Sequence, residues 1–155
     1  MRGGSACEGE SLVAGWREWV ALPDLGVARI KAKLDTGART SALHALEPKV
    51  FVRGGVRRVR FRLHPEQRHG HPEILCEAPL VDRRLVVNSG GKPERRLVIL
   101  TRLVLAGCVF PVEITLTNRA PMGFRMLMGR TAIRKWGLVD PGRSFLLSAG
   151  IAELP

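Results

Sequence analysis

Aromatic side chains are scarce in this chain of 155 residues, which has three tryptophans, five phenylalanines and no tyrosine. Platforms for stacking nucleic-acid bases are therefore few. Cysteine is scarce as well: Cys7, Cys76 and Cys108 are odd in number, widely spaced and never arranged as CxxC. This pattern argues against a disulfide framework and a cysteine zinc site, and it favours reduced thiols in a cytoplasmic protein.

Long apolar runs are also missing. No segment is long enough to cross a bilayer, and residues 1–14 lack the apolar stretch of a signal peptide. We therefore expect a flexible N-terminal tail over residues 1–14, a single domain over residues 15–155, and no membrane partner.

Motifs for metals and nucleotides are absent from the sequence. The four histidines form no HExxH, and the "HGH" at 69–71 falls in an expected loop without a second ligand pair. The "SGGK" at 89–92 is too short for a phosphate loop. We therefore expect neither a metal nor another cofactor.

Acidic residues are outnumbered, with 14 Asp and Glu against 25 Lys and Arg and a net charge of +11. A basic surface attracts polyanions such as nucleic acid, acidic lipid or acidic polypeptide, and composition alone leaves these open. One expected hairpin carries a basic stripe that is either a solvated face or a track for an acidic substrate: Lys49, Arg53, Arg57, Arg58, Arg60 and Arg62.

Alternation of apolar and polar residues is the main pattern that the sequence does contain. In "ARIKAKL" at 28–34 it places Ile30, Ala32 and Leu34 on one face of a half-buried strand. Between residues 94 and 106 we expect two separate strands, one that follows residue 94 and one that ends before Ala106. Turns that carry glycine predict three hairpins, at Gly54–Gly55, at 88–94 and at Ala106–Gly107.

The C-terminal part changes its pattern. After Gly129 the sequence becomes helical, with Ile133 and Trp136 three residues apart and Gly137 suited to end the helix. The segment "FLLSAG" at 145–150 predicts a last strand. Many short strands and one short helix make the fold class all-β, a barrel or a sandwich.

The strand at 28–34 ends in Asp35, Thr36 and Gly37. Asp35 supplies a carboxylate, Thr36 offers groups that can brace a neighbouring loop, and Gly37 permits a close approach and a positive φ. Two carboxylates that share one proton can act as acid and base on a water molecule that attacks a peptide bond. Asp-Thr-Gly alone is weak evidence because it is also ordinary turn chemistry.

Further motifs follow in an informative order. The segments "LDTGA" at 34–38, "NSGG" at 88–91 and "MLMGRTAIRKWGL" at 126–138 resemble the retroviral, retropepsin-type aspartic proteases. From Gly15 to Ala149, the chain resembles more specifically a bacterial family of retropepsin-like proteins. That family is often labelled "ATP-dependent zinc protease" and is commonly linked to RimK-type ATP-grasp glutamate ligases. The resemblance implies an acid-protease barrel with one short C-terminal helix.

The resemblance also implies site residues. Asp35, Thr36 and Gly37 take the catalytic positions. Substrate contacts are implied for the end of this loop and for the hairpin tip, or flap: Ala38, Arg39, Thr40, Asn88, Ser89, Gly90 and Gly91. Support from beneath the loop is implied for Leu127, Met128, Gly129 and Arg130.

Only Asp35 precedes Thr-Gly, since Asp24, Asp82 and Asp140 do not. A pair of catalytic carboxylates therefore requires Asp35 from each of two subunits. We expect an obligate homodimer with the active site at its two-fold interface, and the resemblance implies the same.

Arg39 and Thr40 stand where the retroviral enzymes usually carry acidic residues. Arg39 either lies beside the substrate and binds an acidic group, or is a structural residue paired with Glu18 or Glu47. In the retroviral enzymes the arginine that matches Arg130 pairs with one of the missing acidic residues, so its partner here stays open.

These observations predict a cytoplasmic, homodimeric aspartic endopeptidase that acts on a Glu-rich polypeptide. The ligases linked to the family add glutamates to the C-terminus of a small-subunit ribosomal protein, and that tail is the expected substrate. The alternative is a catalytically silent basic dimer that binds RNA, the ribosome or a glutamate ligase. A zinc peptidase is a third hypothesis, and any ATP dependence belongs to a partner.

Overall fold

The computed structural model describes residues 12–66, 73–88, 90–118 and 123–148. Within these ranges the chain is almost entirely strand, and no helix there is long and apolar enough to cross a membrane. The elements are β1 (Leu12–Gly15), β2 (Arg17–Leu22), a 3₁₀ turn (Pro23–Leu25), β3 (Val27–Leu34), β4 (Ser41–His44), β5 (Leu46–Arg53), β6 (Val56–Leu63), β7 (Ile74–Val87), β8 (Pro93–Leu105), β9 (Cys108–Thr117), β10 (Met126–Met128), α1 (Arg130–Ile133) and β11 (Gly137–Asp140).

Six strands close into a barrel in the order β2, β3, β10, β4, β9 and β8. The ring is completed where Ala21 on β2 pairs with Val104 on β8. Inward side chains alternate along each strand, and the expected face of β3 (Ile30, Ala32 and Leu34) is buried in the core. The fold class predicted from the sequence, an all-β barrel with one short helix, is confirmed.

Beyond β8 the sheet continues through β7, β6 and β5 as antiparallel hairpins. The turn of β5 and β6 lies at Gly54 and Gly55, whose φ angles of 58° and 78° favour glycine. The hairpins expected around 88–94 and at Ala106–Gly107 are also present. The separate strands expected between residues 94 and 106 are wrong, because β8 runs without a break and pairs with β7 at one end and β9 along the rest.

The position of β10 brings the C-terminal part of the chain to the end of β3. This strand runs parallel to β3, with Met128 opposite Leu34, and antiparallel to β4, with Leu127 opposite Ala42. The loop at 35–40 joins β3 to β4. Inserting β10 between these two strands therefore places the residues after Met128 directly against that loop.

A second, two-stranded sheet pairs β1 with β11 in parallel. Strand β1 thus includes residues 12–14, which belong to the segment expected as a tail, while residues 1–11 lie outside the described ranges. Gly137 does not end the helix, which stops at Ile133. It opens β11 instead, where an added Cβ would lie 2.2 Å from the carbonyl oxygen of Leu12.

The last strand expected at 145–150 is wrong over its described part, which is a turn that follows Phe145 with its φ of 55°. The backbone N–H groups of Leu146 and Leu147 donate to the carboxylate of Glu18, at 2.9 and 3.2 Å from Oε2. A side chain thus takes the hydrogen bonds that a neighbouring strand would have supplied.

The cysteines only partly follow the expectation of reduced thiols. Cys76 is a free thiol, and burial raises its pKa to about 12. Cys108 is disulfide-bonded, which contradicts the expectation for that residue.

Candidate active site

Asp35 is anchored by backbone hydrogen bonds at the end of β3. Its N–H donates to the carbonyl oxygen of Met128 at 2.8 Å, and the N–H of Leu34 donates to that of Trp16 at 2.8 Å. The residue therefore stands between two segments distant in sequence, and both fix the direction in which the chain leaves the strand.

The loop folds around the Asp35 carboxylate. The N–H of Gly37 donates to Asp35 Oδ1 at 2.9 Å, and the N–H of Ala38 donates to the Asp35 carbonyl at 3.2 Å. Gly37 does not have the positive φ that the sequence suggested. Space is tight here, since an added Cβ would lie 3.2 Å from Asp35 Oδ1 and the carboxylate would have to shift to accommodate it.

The first residues of α1 hold this loop from outside. The N–H of Arg130 donates to the carbonyl oxygen of Ala38 at 2.8 Å, and its guanidinium Nη1 donates to the carbonyls of Thr36 and Gly37 at 3.4 and 3.3 Å. The partner of Arg130, left open by the sequence, is thus a set of loop carbonyls. No carboxylate is needed at the positions of Arg39 and Thr40 to hold this arginine.

Gly129 allows the two segments to touch. An added Cβ would lie 2.6 Å from the carbonyl carbon and oxygen of Thr40, and the Gly129 N–H donates to Ser41 Oγ at 3.1 Å. Met128 is fully buried and Leu127 is half-buried. The structure thus places Met128, Gly129 and Arg130 against the loop that carries Asp35. Leu127, the fourth expected supporting residue, lies between β3 and β4, opposite Lys33 and Ala42.

The tip of the β7–β8 hairpin is organised by Asn88. Its Oδ1 accepts from the N–H groups of Gly90 at 2.9 Å and Lys92 at 3.1 Å, while Gly91 has a φ of 80° that favours glycine. Ser89 lies outside the described residues. None of the described tip residues lines the cleft that borders the Asp35 loop, and the hairpin contributes Arg84, Leu85 and Val86 from β7 instead.

A cleft of about 860 Å³ opens between the end of the Asp35 loop, the α1 segment, β9, residues 84–86 of β7 and Leu100 of β8. Leu85 and Leu100 expose apolar surface within it. Glu113 is the one carboxylate among its described lining residues. The cations that line it are Arg39, Arg84, Arg134 and Lys135.

These cations differ in whether carboxylates of the protein already neutralise their charge. Arg84 donates from Nε to Asp82 Oδ2 at 2.7 Å and from Nη2 to Glu113 Oε1 at 2.8 Å. These hydrogen bonds raise the pKa of Arg84, and the bond from Arg84 lowers the pKa of Asp82. Lys135 Nζ donates to the carbonyl oxygen of Pro111 at 2.6 Å, which is not a charged partner.

Arg39 is not the structural residue that one interpretation proposed. Glu47 pairs with Arg62, and Glu18 accepts hydrogen bonds from the C-terminal segment that ends at Ser148. Among the described residues, the side chain of Arg39 has neither a salt bridge nor a hydrogen bond, and it is exposed at the cleft. Its charge is available to a ligand.

The basic stripe on β5 and β6 is a different kind of surface. Arg53 and Arg60 both bind the carboxylate of Glu77, at 2.8 and 3.0 Å, and Arg62 pairs with Glu73 at 3.2 Å. Much of its charge is therefore matched by neighbouring carboxylates, as on an ordinary solvated face.

Motif analysis overlooked four of the cleft residues: Arg84, Glu113, Arg134 and Lys135. They lie on β7, on β9 and in the turn that follows α1, and strand pairing and the contact of α1 with the loop bring them together. The basic segment "RTAIRK" at 130–135 is a local signal for Arg134 and Lys135, but no local pattern indicates Arg84 or Glu113.

No three described His, Cys, Asp or Glu residues lie together as metal ligands would. The "HGH" segment at 69–71 is outside the described ranges. The described part of the chain therefore brings together no set of donor groups that fits a zinc ion.

A closed six-stranded barrel, with Asp-Thr-Gly at the end of a strand and a glycine-arginine pair beneath it, defines a retropepsin-like aspartic protease domain. The model of the RimB-like family, described as "Retropepsin-like aspartic endopeptidase RimB", matches residues 13–149. The chain belongs to that family.

Curated relatives carry a different name. The chain is 47% identical over 135 residues to a "Probable alpha-L-glutamate ligase" of Shewanella pealeana, covering 87% of this chain and 30% of that protein. It is 42% identical over 129 residues to a protein of the same name from Desulfotalea psychrophila, covering 83% of this chain and 28% of that protein. The chain thus spans less than a third of the length of these relatives.

A solved structure has the same fold. It is a protein of unknown function from Legionella pneumophila, 28% identical in sequence, with a TM-score of 0.74. The match covers 86% of this chain and 96% of the other.

Proposed function

We propose that the protein is an aspartic endopeptidase whose active form is a homodimer with Asp35 from each subunit at a shared site. The observation that carries this proposal is the Asp35 loop itself. Its carboxylate is oriented by the N–H of Gly37, and its backbone is held by Met128 and Arg130. The family to which the chain belongs supports the same activity.

A second carboxylate has to come from another subunit. Each of the other aspartates has a partner of its own, in the pairs Asp24–Arg102, Asp82–Arg84 and Asp140–Gly142. Thr36 and Gly37 are exposed on the single chain, where a second copy of the loop can cover them. The β1–β11 sheet adds an apolar pair, Val13 opposite Leu138, which are 44% and 63% exposed.

The chemistry follows from two carboxylates that share one proton. The ionised carboxylate takes a proton from water as the water oxygen bonds to the peptide carbonyl carbon. The protonated carboxylate gives its proton to the carbonyl oxygen. The tetrahedral intermediate, which carries two hydroxyl groups, then loses its C–N bond. The departing nitrogen takes a proton from the protonated carboxylate, and one hydroxyl of the intermediate gives its proton to the ionised carboxylate, which restores a dyad with one shared proton.

For the substrate we propose an acidic, Glu-rich polypeptide such as a glutamylated ribosomal protein tail. The cleft beside the Asp35 loop is lined by four cations and one carboxylate, which favours a ligand with several negative charges. The relatives named as glutamate ligases contain a segment similar to this chain, which supports action on a protein that bears added glutamates.

The test is a cleavage assay on a ribosomal protein with a C-terminal glutamate tail, read by mass spectrometry in the presence of a chelator. The wild type should shorten the tail, Asp35→Asn should not, and the control Asp140→Asn should retain activity. Loss of activity in chelator would instead favour a zinc peptidase. Equal products from wild type and Asp35→Asn would refute the aspartic mechanism, and absence of cleavage with steeply salt-dependent RNA binding would favour the silent binding module.

A further inference from the structure

Glu113 is a carboxylate that the protein itself places in its basic cleft. It lies on β9 opposite Leu100 on β8, and its side chain is 48% exposed. Its Oε1 accepts from Arg84 Nη2 at 2.8 Å, so it binds an arginine as a substrate glutamate would. The cleft therefore already contains one example of the interaction that the proposed substrate requires.

The remaining positive charge of the cleft is unmatched. Neither Arg39 nor Arg134 forms a salt bridge with a described residue, and Lys135 bonds only to a carbonyl oxygen. An acidic side chain that enters the cleft is attracted by these three cations and repelled by Glu113. Because Asp82 also holds Arg84, that arginine can exchange Glu113 for an incoming carboxylate and still keep one charged partner.

We propose that Glu113 is an internal competitor that sets how strongly this cleft binds acidic peptides, with Arg39 and Arg134 as the groups that bind the substrate carboxylates. The inference rests on the proposed function, whose substrate cleft it concerns. Glu113 weakens the binding of an isolated acidic side chain, because it occupies Arg84 and repels the newcomer. A run of glutamates offers several carboxylates to the cleft at once and overcomes this competition.

The experiment measures binding without cleavage. A fluorescently labelled peptide that ends in four glutamates is titrated with protein that carries Asp35→Asn, and Kd is read by fluorescence anisotropy. Glu113→Gln removes the charge but keeps an oxygen that can accept from Arg84, so we expect Kd to fall by about threefold to tenfold. Arg134→Gln should raise Kd by a similar factor. A peptide with glutamines in place of glutamates should show neither change.

A matched control and a second variant guard against indirect effects. Arg57→Gln removes an exposed cation of β6 that lies outside the cleft, and it should leave Kd within about twofold of the parent. Arg84→Gln leaves Glu113 without its partner, so binding should weaken. Misfolding would weaken binding in both variants, so it cannot explain a lower Kd for Glu113→Gln together with a higher Kd for Arg84→Gln.

The outcomes separate this inference from the proposed function. An unchanged or higher Kd for Glu113→Gln, or no binding of the peptide by any variant, overturns the inference even if the wild type cleaves its substrate. If the wild type never cleaves but the variants bind in the expected order, the endopeptidase proposal fails and the role of Glu113 stands.

Discussion

Single residues in the candidate site are constrained by space more than by backbone freedom. Gly37 and Gly129 both have φ angles open to any residue, yet an added Cβ would lie 3.2 Å from Asp35 Oδ1 in one case and 2.6 Å from the Thr40 backbone in the other. Backbone is harder to displace than a side chain, so Gly129 is the stricter requirement of the two.

Gly129→Ala should therefore lower the free energy of unfolding by at least about 2 kcal/mol, because the methyl group separates the Asp35 loop from its support. The measurement is urea unfolding followed by tryptophan fluorescence. Gly142→Ala is the control, since its Cβ would meet Asp140 Oδ1 only at ordinary contact distance, 3.4 Å. Equal stability of the two variants would show that the close approach at Gly129 is not needed.

At the scale of elements, buried and exposed carboxylates connect segments that are far apart in sequence. Glu18 on β2 is fully buried and accepts from the N–H of Gly15 at 2.6 Å and from Ser148 Oγ at 2.6 Å. Together with its bonds to residues 146–147, it fixes the C-terminal segment beside the Trp16 backbone that holds β3 near Asp35. This carboxylate takes the place of the last strand that the sequence predicted at 145–150, over its described part.

An exposed carboxylate connects the 3₁₀ turn to β8. Asp24 accepts from Arg102 Nη2 at 2.6 Å and from Nε at 2.9 Å. The hydrogen bond from the Arg102 side chain holds the pKa of Asp24 below its usual value. A lowered folded-state pKa contributes stability that is present above the unfolded value and is lost as pH falls.

Asp24→Asn should consequently be less stable than the wild type at neutral pH, by no more than about 1 kcal/mol because the pair is exposed. The difference should shrink as pH falls through and below the ordinary range of an aspartate and vanish once the carboxyl is protonated in the folded state as well. Thermal unfolding of both proteins across this range measures it, and high salt should shrink the neutral-pH difference. A difference that persists in acid would contradict the ion-pair account.

At the scale of the whole molecule, the sequence predicts those parts of the fold that depend on residues close together in the chain. Alternation in "ARIKAKL" identified β3 and its buried face, and glycine at turns identified the hairpins, because these depend on neighbouring residues. The parallel pairing of β1 with β11 and the hydrogen bond of Glu18 with Ser148 join residues over a hundred positions apart. The course of β8 depends on its pairing with three other strands, β2, β7 and β9. No pattern within one segment encodes such contacts.

The residues of the candidate site also fall into two groups, those that sequence motifs predict and those that only the fold reveals. Asp35, Gly129 and Arg130 were predicted because they lie in motifs, and the structure places them together. The cleft cations and Glu113 come from separate elements that only the folded barrel assembles. The charge excess of the chain pointed to an acidic partner but did not indicate which of its many arginines remain unmatched.

The central claim is that one active site needs Asp35 from two subunits, and mixing subunits tests it most directly. Wild type and Asp35→Asn are refolded together at varied ratios and a fixed total concentration, and the rate of tail cleavage is measured at each ratio. Random pairing of subunits predicts activity proportional to the square of the wild-type fraction, about one quarter at an equal mixture. Activity that falls in direct proportion to the wild-type fraction would show that each chain works alone and would contradict the account.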